Sequence, residues 1–146
     1  MFVGTHRRTL DEKWRLPLPS DLFAPAYKGD RDNLYFVPAG DHLILFTSDY
    51  FERLSEQLLK KSVMAHRDLR RTFFGNTYPK QRDKNGRIQI PEGLRTQAGF
   101  SAKEEVVIIG TGQYAELRSA AQAPETPRPD EMFDIFDALD AMGGSE

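Results

Sequence analysis

The sequence predicts a mainly β fold with short α-helices, built from one β-rich unit used twice. Three observations carry that expectation. A constant offset of 72 residues pairs Thr5 with Thr77, Asp11 with Asp83, Leu22 with Leu94, Gly40 with Gly112 and Leu45 with Leu117, without a gap. In that register Arg15-Leu16-Pro17-Leu18-Pro19 falls on Arg87-Ile88-Gln89-Ile90-Pro91, and each segment alternates in the way of a strand with one buried face. The apolar run Leu34-Tyr35-Phe36-Val37 likewise falls on Val106-Val107-Ile108-Ile109. Duplication is the economical explanation of one register held across several elements. At 146 residues the chain has the size of one domain, or of two very small units that must share a core, since neither half is long enough to bury much alone.

In order, each copy reads as a strand, a turn, a second strand, a short helix and a closing hairpin. Pro19 and Pro91 end their strands, because proline removes a ladder donor but costs nothing at a first helical position. Leu94, Arg95 and Ala98 fit a short helix stopped by Gly99, and Gly40 and Gly112 sit as turn residues between apolar runs. Between the copies, Thr47-Ser48-Asp49 can cap a helix whose Phe51, Leu54 and Leu58 share a face. A second helical stretch near 63–74 gathers Arg67, Arg70, Arg71 and Phe74 on one side. The expected division is a first unit at 1–50, a helical connector at 51–74, a second unit at 75–119, and a linker with an acidic amphipathic tail at 120–146. In that tail an Ala/Pro-rich linker precedes Met132, Phe133, Phe136, Leu139 and Met142, which fall near one stripe of a helix or belong to a disordered arm.

The net charge of −2 hides a division between body and tail. Residues 124–146 hold seven acids and one base, whereas residues 60–87 hold nine bases and two acids. Nucleic acid responds to such a local field, although a solvated helix-and-turn surface has the same composition. With no cysteine there is no disulfide or thiolate site. His6, His42 and His66 lie too far apart for a metal-binding pattern, so no metal and no cofactor is expected. Gly110-Thr111-Gly112 lacks the length and the lysine of a phosphate loop. No stretch is long and apolar enough to cross a bilayer, and residues 1–8 do not read as a signal peptide, so a cytoplasmic protein without a membrane partner is expected.

The turns are more informative. Asp11-Glu12-Lys13-Trp14-Arg15 and Asp83-Lys84-Asn85-Gly86-Arg87 each resemble a β-turn whose Asp side chain bonds the turn backbone. The arginine that follows emerges from a strand end and can meet a phosphate or a guanine edge as a fixed fork. Alternatively, an Asp11–Arg15 or Asp83–Arg87 bridge merely fixes the turn. Both hold if the acid orients an arginine that keeps part of its guanidinium available.

These residues also carry a family resemblance. Met1-Phe2-Val3-Gly4-Thr5 with Thr9-Leu10-Asp11-Glu12-Lys13-Trp14-Arg15-Leu16-Pro17-Leu18-Pro19 resembles the opening of the MraZ proteins, bacterial regulators of the division and cell-wall gene cluster. Asp83 to Pro91 is similar to that family's second motif, and Arg67 to Asn76 resembles its Arg/Phe-rich connector. The resemblance implies two tandem AbrB-like units forming one pseudo-symmetric swapped-hairpin barrel. It further implies ring oligomers that present the turns to repeated promoter boxes on double-stranded DNA, usually as a repressor at the nucleoid. Carried over by motif, Lys13, Arg15 and Arg87 are the expected DNA contacts; Arg82 and Lys84, whose match is one of composition, are expected phosphate neighbours, and Asp11 and Asp83 the turn buttresses.

Two departures stand out. Trp14 takes the glycine position of the first motif, where a bulky residue either strains or remodels the turn, or exposes an indole for packing at an oligomer seam or against DNA. Asn85 replaces the usual lysine of the second. The rivals are an assembly module that keeps the fold without DNA binding, and an enzyme whose site forms only in three dimensions. The acidic tail is expected to dock on the protein body or on a protein partner.

Overall fold

The computed structural model describes residues 1–143, so the last three residues of the predicted tail lie outside the described residues. Strands β1 (Thr5–Thr9), β2 (Arg15–Pro17), β3 (Asn33–Pro38) and β4 (Leu43–Thr47) form the first copy. Strands β5 (Tyr78–Gln81), β6 (Arg87–Gln89), β7 (Glu105–Gly110) and β8 (Tyr114–Ser119) repeat them. Helices α1 (Ser48–Leu59) and α2 (Val63–Gly75) connect the copies, and α3 (Pro129–Gly143) follows the second.

The register shows how the copies combine. In the antiparallel β2–β6 pair, Leu16 faces Ile88, its own counterpart in the duplication, so a pseudo-twofold axis runs through that pair. The same axis passes through Ile44 opposite Glu116 in the β4–β8 ladder. About this axis the first strand of each copy pairs with the hairpin of the other. Thr9 faces Glu105 and His6 faces Ile108 in β1–β7, while Gln81 faces Asn33 and Tyr78 faces Phe36 in β5–β3. This is a swapped-hairpin arrangement of two tandem units within one chain.

The large sheet runs β1-β7-β8-β4-β3-β5, with no ladder between its two edge strands among the described residues. Each edge strand turns tightly into β2 or β6. The small β2–β6 sheet then sends Leu16, Leu18, Ile88 and Ile90 into a core shared with Leu34, Phe36, Leu45, Val106, Ile108 and Leu117. Because both copies fill one core, neither can bury its apolar face without the other.

Where the sequence predicts a short helix after each second strand, there is a single 3-10 turn, Ser20–Leu22 and Glu92–Leu94. Neither has a capping side chain, and each delivers one leucine, Leu22 or Leu94, to the core, for which one turn suffices. Gly99 does terminate its segment, at φ +74°.

The connector follows its predicted chemistry. Thr47 Oγ1 accepts a hydrogen bond from Tyr50 N at 3.3 Å, capping α1. Phe51 stacks on Tyr35 with centroids 4.1 Å apart, and Phe73 and Phe74 close the aromatic cluster from α2. A break at His66 (φ −126°, ψ 22°) kinks α2. The predicted tail helix is present as α3, and none of its residues is buried.

Candidate nucleic-acid interface

Asp11 and Asp83 build the same turn twice. Asp11 Oδ1 accepts from Lys13 N and Arg15 N, both at 2.9 Å, and Oδ2 accepts from Arg15 Nε at 2.7 Å. Asp83 Oδ1 accepts from Asn85 N at 2.9 Å and Arg87 N at 3.0 Å, and Oδ2 from Arg87 Nε at 3.1 Å. A backbone bond closes each turn, Trp14 N to Asp11 O and Gly86 N to Asp83 O, both at 3.0 Å. Burial works to raise the Asp11 carboxyl, but the hydrogen bonds from Arg15 and Lys13 and the charge of Arg15 outweigh it and hold it below the usual carboxylate range. For Asp83 the Arg87 backbone hydrogen bond leads, over a smaller opposing effect of burial, and its carboxyl is lowered too.

The two turns meet. Because Leu16 and Ile88 point into the core, Arg15, Pro17, Arg87 and Gln89 occupy the outer face of the small sheet. Arg87 Nη1 comes within 3.9 Å of Asp11 Oδ2, so the carboxylate of the first turn lies between both turn arginines. The Arg15 and Arg87 side chains are about 30% and 28% exposed. In each, the aspartate takes Nε, and the terminal nitrogens donate no hydrogen bond among the described residues. The acid therefore fixes each guanidinium through Nε, Arg87 Nη1 also lies toward the Asp11 carboxylate, and both arginines keep part of their surface exposed.

Trp14 adopts φ +62°, matching Gly86 at +78°. The tryptophan therefore strains the first turn and does not remodel it. The expectation of an exposed indole is corrected: the ring is half-buried against the core, with the Arg95 guanidinium 5.2 Å from its centroid.

The remaining predicted residues differ in availability. Lys13 and Lys84 are exposed at their turn tips. They occupy neighbouring, not equivalent, turn positions, since Glu12 is the counterpart of Lys84 and Asn85 that of Lys13. Arg82 is engaged: it donates from Nε and Nη2 to Asp32 Oδ1 at 3.2 and 3.1 Å, lies 5.8 Å from the Phe23 ring centroid, and is 19% exposed. Sequence reasoning missed Gln89, whose Nε2 donates to Lys13 O at 3.0 Å and ties the first turn to β6. Its alternation with Ile88 and Ile90 was the available signal. Nothing in the sequence links Asp32 to Arg82 or Arg95 to Trp14.

The three histidines stay apart, each beside a local partner: Val3 O for His6, Asp41 for His42, Ser62 O for His66. Among the described residues no group of three or more His, Cys, Asp or Glu could hold a metal ion. No helix of the described residues is long and apolar enough to cross a membrane.

One chain folded as a pseudo-dimer of swapped hairpins, with paired Asp–Arg turns on its small sheet, defines a tandem AbrB-like protein. A family model described as "MraZ protein, putative antitoxin-like" matches it twice, over residues 1–72 and 73–122. The chain belongs to the MraZ family. It is 35% identical over 124 residues to a protein of Kocuria rhizophila named transcriptional regulator MraZ, covering 83% of this chain and 82% of that one. A protein of the same name from Treponema denticola is 29% identical over 144 residues, covering 97% and 96%, and one from Thermobifida fusca 34% identical over 124 residues, covering 82% of each.

Proposed function

We propose that this chain is a transcriptional regulator, not an enzyme, that binds double-stranded DNA through its two Asp-buttressed turns. The observation that carries the reading is the shared geometry of Arg15 and Arg87, each held at Nε by an aspartate, partly exposed, and set on the outer face of the small sheet. Arg15 and Arg87 read base edges, while Lys13 and Lys84 at the exposed tips contact phosphate. Arg82, tied to Asp32, stays at the edge of that set. Asp11 and Asp83 keep the forks in place.

In this reading residues 1–50 and 75–119 are the DNA-facing units, 51–74 the connector, and 120–146 an arm that docks on protein. Several copies in a ring set their turns along repeated promoter boxes of a cell-division and cell-wall gene cluster at the cytoplasmic nucleoid, and repress it. Avidity then offsets the weakness of each unit. The names of the relatives and the basic 60–87 segment support this assignment.

Footprinting on the organism's own genome supplies a specific duplex, and fluorescence anisotropy compares it with random duplex of equal length. Arg87→Ala is expected to weaken specific binding about 5- to 150-fold, the range for one bidentate base contact, and random binding far less. Equal losses on both remove base reading from Arg87. A folded protein that binds neither duplex is an assembly module.

A further inference from the structure

We propose that α3 of one copy docks its apolar stripe in the groove between α1 and α2 of a second copy. This contact does not depend on DNA binding; it deepens the docking of the arm by naming both of its surfaces.

Met132, Ile135, Phe136 and Leu139 follow the i, i+3, i+4, i+7 spacing of one helical face, and they are 36%, 46%, 51% and 57% exposed. A helix of this length is marginal in water unless that face is covered. Leu54, Leu58, Leu69 and Phe73 line a groove of about 360 Å³ between α1 and α2, with Lys61 and His66 at its rim. Leu69 is 55% exposed there.

Charge matches the two surfaces. Residues 129–143 carry five acids and no base, while residues 60–71 carry five bases and one acid. Among the described residues Asp134, Asp137 and Asp140 form no ion pair, and neither do Lys60, Lys61 and Arg67. The acidic helix, with Asp140 flanking the apolar stripe and Asp134 and Asp137 on its other face, thus complements in overall charge a groove with Lys61 in its lining and Lys60 and Arg67 close by in the chain.

Direction of exit selects a second copy as the occupant. Residues 123–127 run beside Thr5–Arg8, Val107 and Ile109, on the β1–β7 side of the sheet. The groove lies on the far side, where α1 packs on β3 and β4. Pro124, Pro127 and Pro129 stiffen the linker and keep it extended. The tail therefore leaves its body on the side away from its own groove, which puts a second copy's groove before its own as the partner surface.

The chain has no cysteine, so single cysteines report contacts cleanly. Full-length Leu69→Cys and Phe136→Cys proteins are mixed without DNA under mild oxidation. A mixed disulfide is expected at least tenfold faster than with exposed Thr96→Cys in place of Leu69→Cys. Equal rates overturn the proposal. A chain carrying both cysteines, oxidised at high dilution, is expected to stay uncross-linked; an intrachain bond would put α3 in its own groove and overturn the choice of a second copy. Sedimentation velocity of Phe136→Asp is expected to show self-association weakened about tenfold or more, and unchanged association overturns the docking. Because no DNA is present, failure here is separable from failure of the DNA-binding assignment.

Discussion

Trp14→Ala and Trp14→Gly together separate two opposing terms at the first turn. Trp14 sits at φ +62°, where an L side chain costs about 1–2 kcal/mol. Against that strain, the indole is half-buried on the core beneath Arg95. Truncating a fully buried aromatic costs about 3–5 kcal/mol, so a half-buried ring is worth roughly 2 kcal/mol, and the cation–π contact adds about 0.5–1 kcal/mol. Both substitutions lose the ring, but only glycine relieves the strain, less about 0.4–1 kcal/mol for the freer unfolded chain. Trp14→Ala is therefore expected to lose about 2–3 kcal/mol and Trp14→Gly about 0.5–1 kcal/mol less. Urea unfolding with unchanged slope reads both through the midpoint. An alanine variant as stable as the glycine variant would refute strain at this position. Two neutral variants would refute the packing of the indole.

Lys84→Ala should weaken specific and random duplex binding alike and reduce the slope of log affinity against log salt by about one, as for one lost phosphate contact; an unchanged slope removes Lys84 from the interface. The lowered carboxyls of Asp11 and Asp83 set a pH window. A folded-state value below the unfolded one gives stability that is complete above the ordinary carboxylate range near 3.8 and is lost as pH falls through the folded value. Urea midpoints of Asp83→Asn should accordingly fall short of those of the parent at pH 7 and approach them only as pH falls through the lowered Asp83 value, and a gap independent of pH would contradict the linkage. Phe36→Ala removes a side chain with no exposed surface from the core shared by both copies and should cost about 3–5 kcal/mol in one cooperative transition. A biphasic transition would mean that the halves unfold separately.

The duplication was legible because alternation and turn glycines keep register along a chain, and that register returns in space as Leu16 opposite Ile88. Alternation does not say which copy a strand pairs with. The crossing of β1 to β7 and β5 to β3 was accessible only through the family resemblance. Asp11 and Asp83 were readable as buttresses because their partners lie two and four residues on, within reach of an Asx side chain. The engagement of Arg82 was not legible, since Asp32 lies 50 residues away and its approach is a product of the β3–β5 pairing. The inward indole of Trp14 was hidden for a similar reason: Arg95 comes from the other copy. Local chemistry could be read along the chain, whereas the availability of each charged group was decided by tertiary neighbours.

In a homodimer of hairpins every substitution is written twice, and both turns stay identical. Covalent joining of the copies released this chain from that rule, and it now holds a strained Trp14 turn beside a relaxed Gly86 turn, with Asp11 between both arginines. The molecule consequently has a front and a back along its small sheet. Under the proposed function, a body with that polarity would distinguish a box from its reverse complement, making the orientation of each site in a promoter information that a symmetric dimer has no means to read.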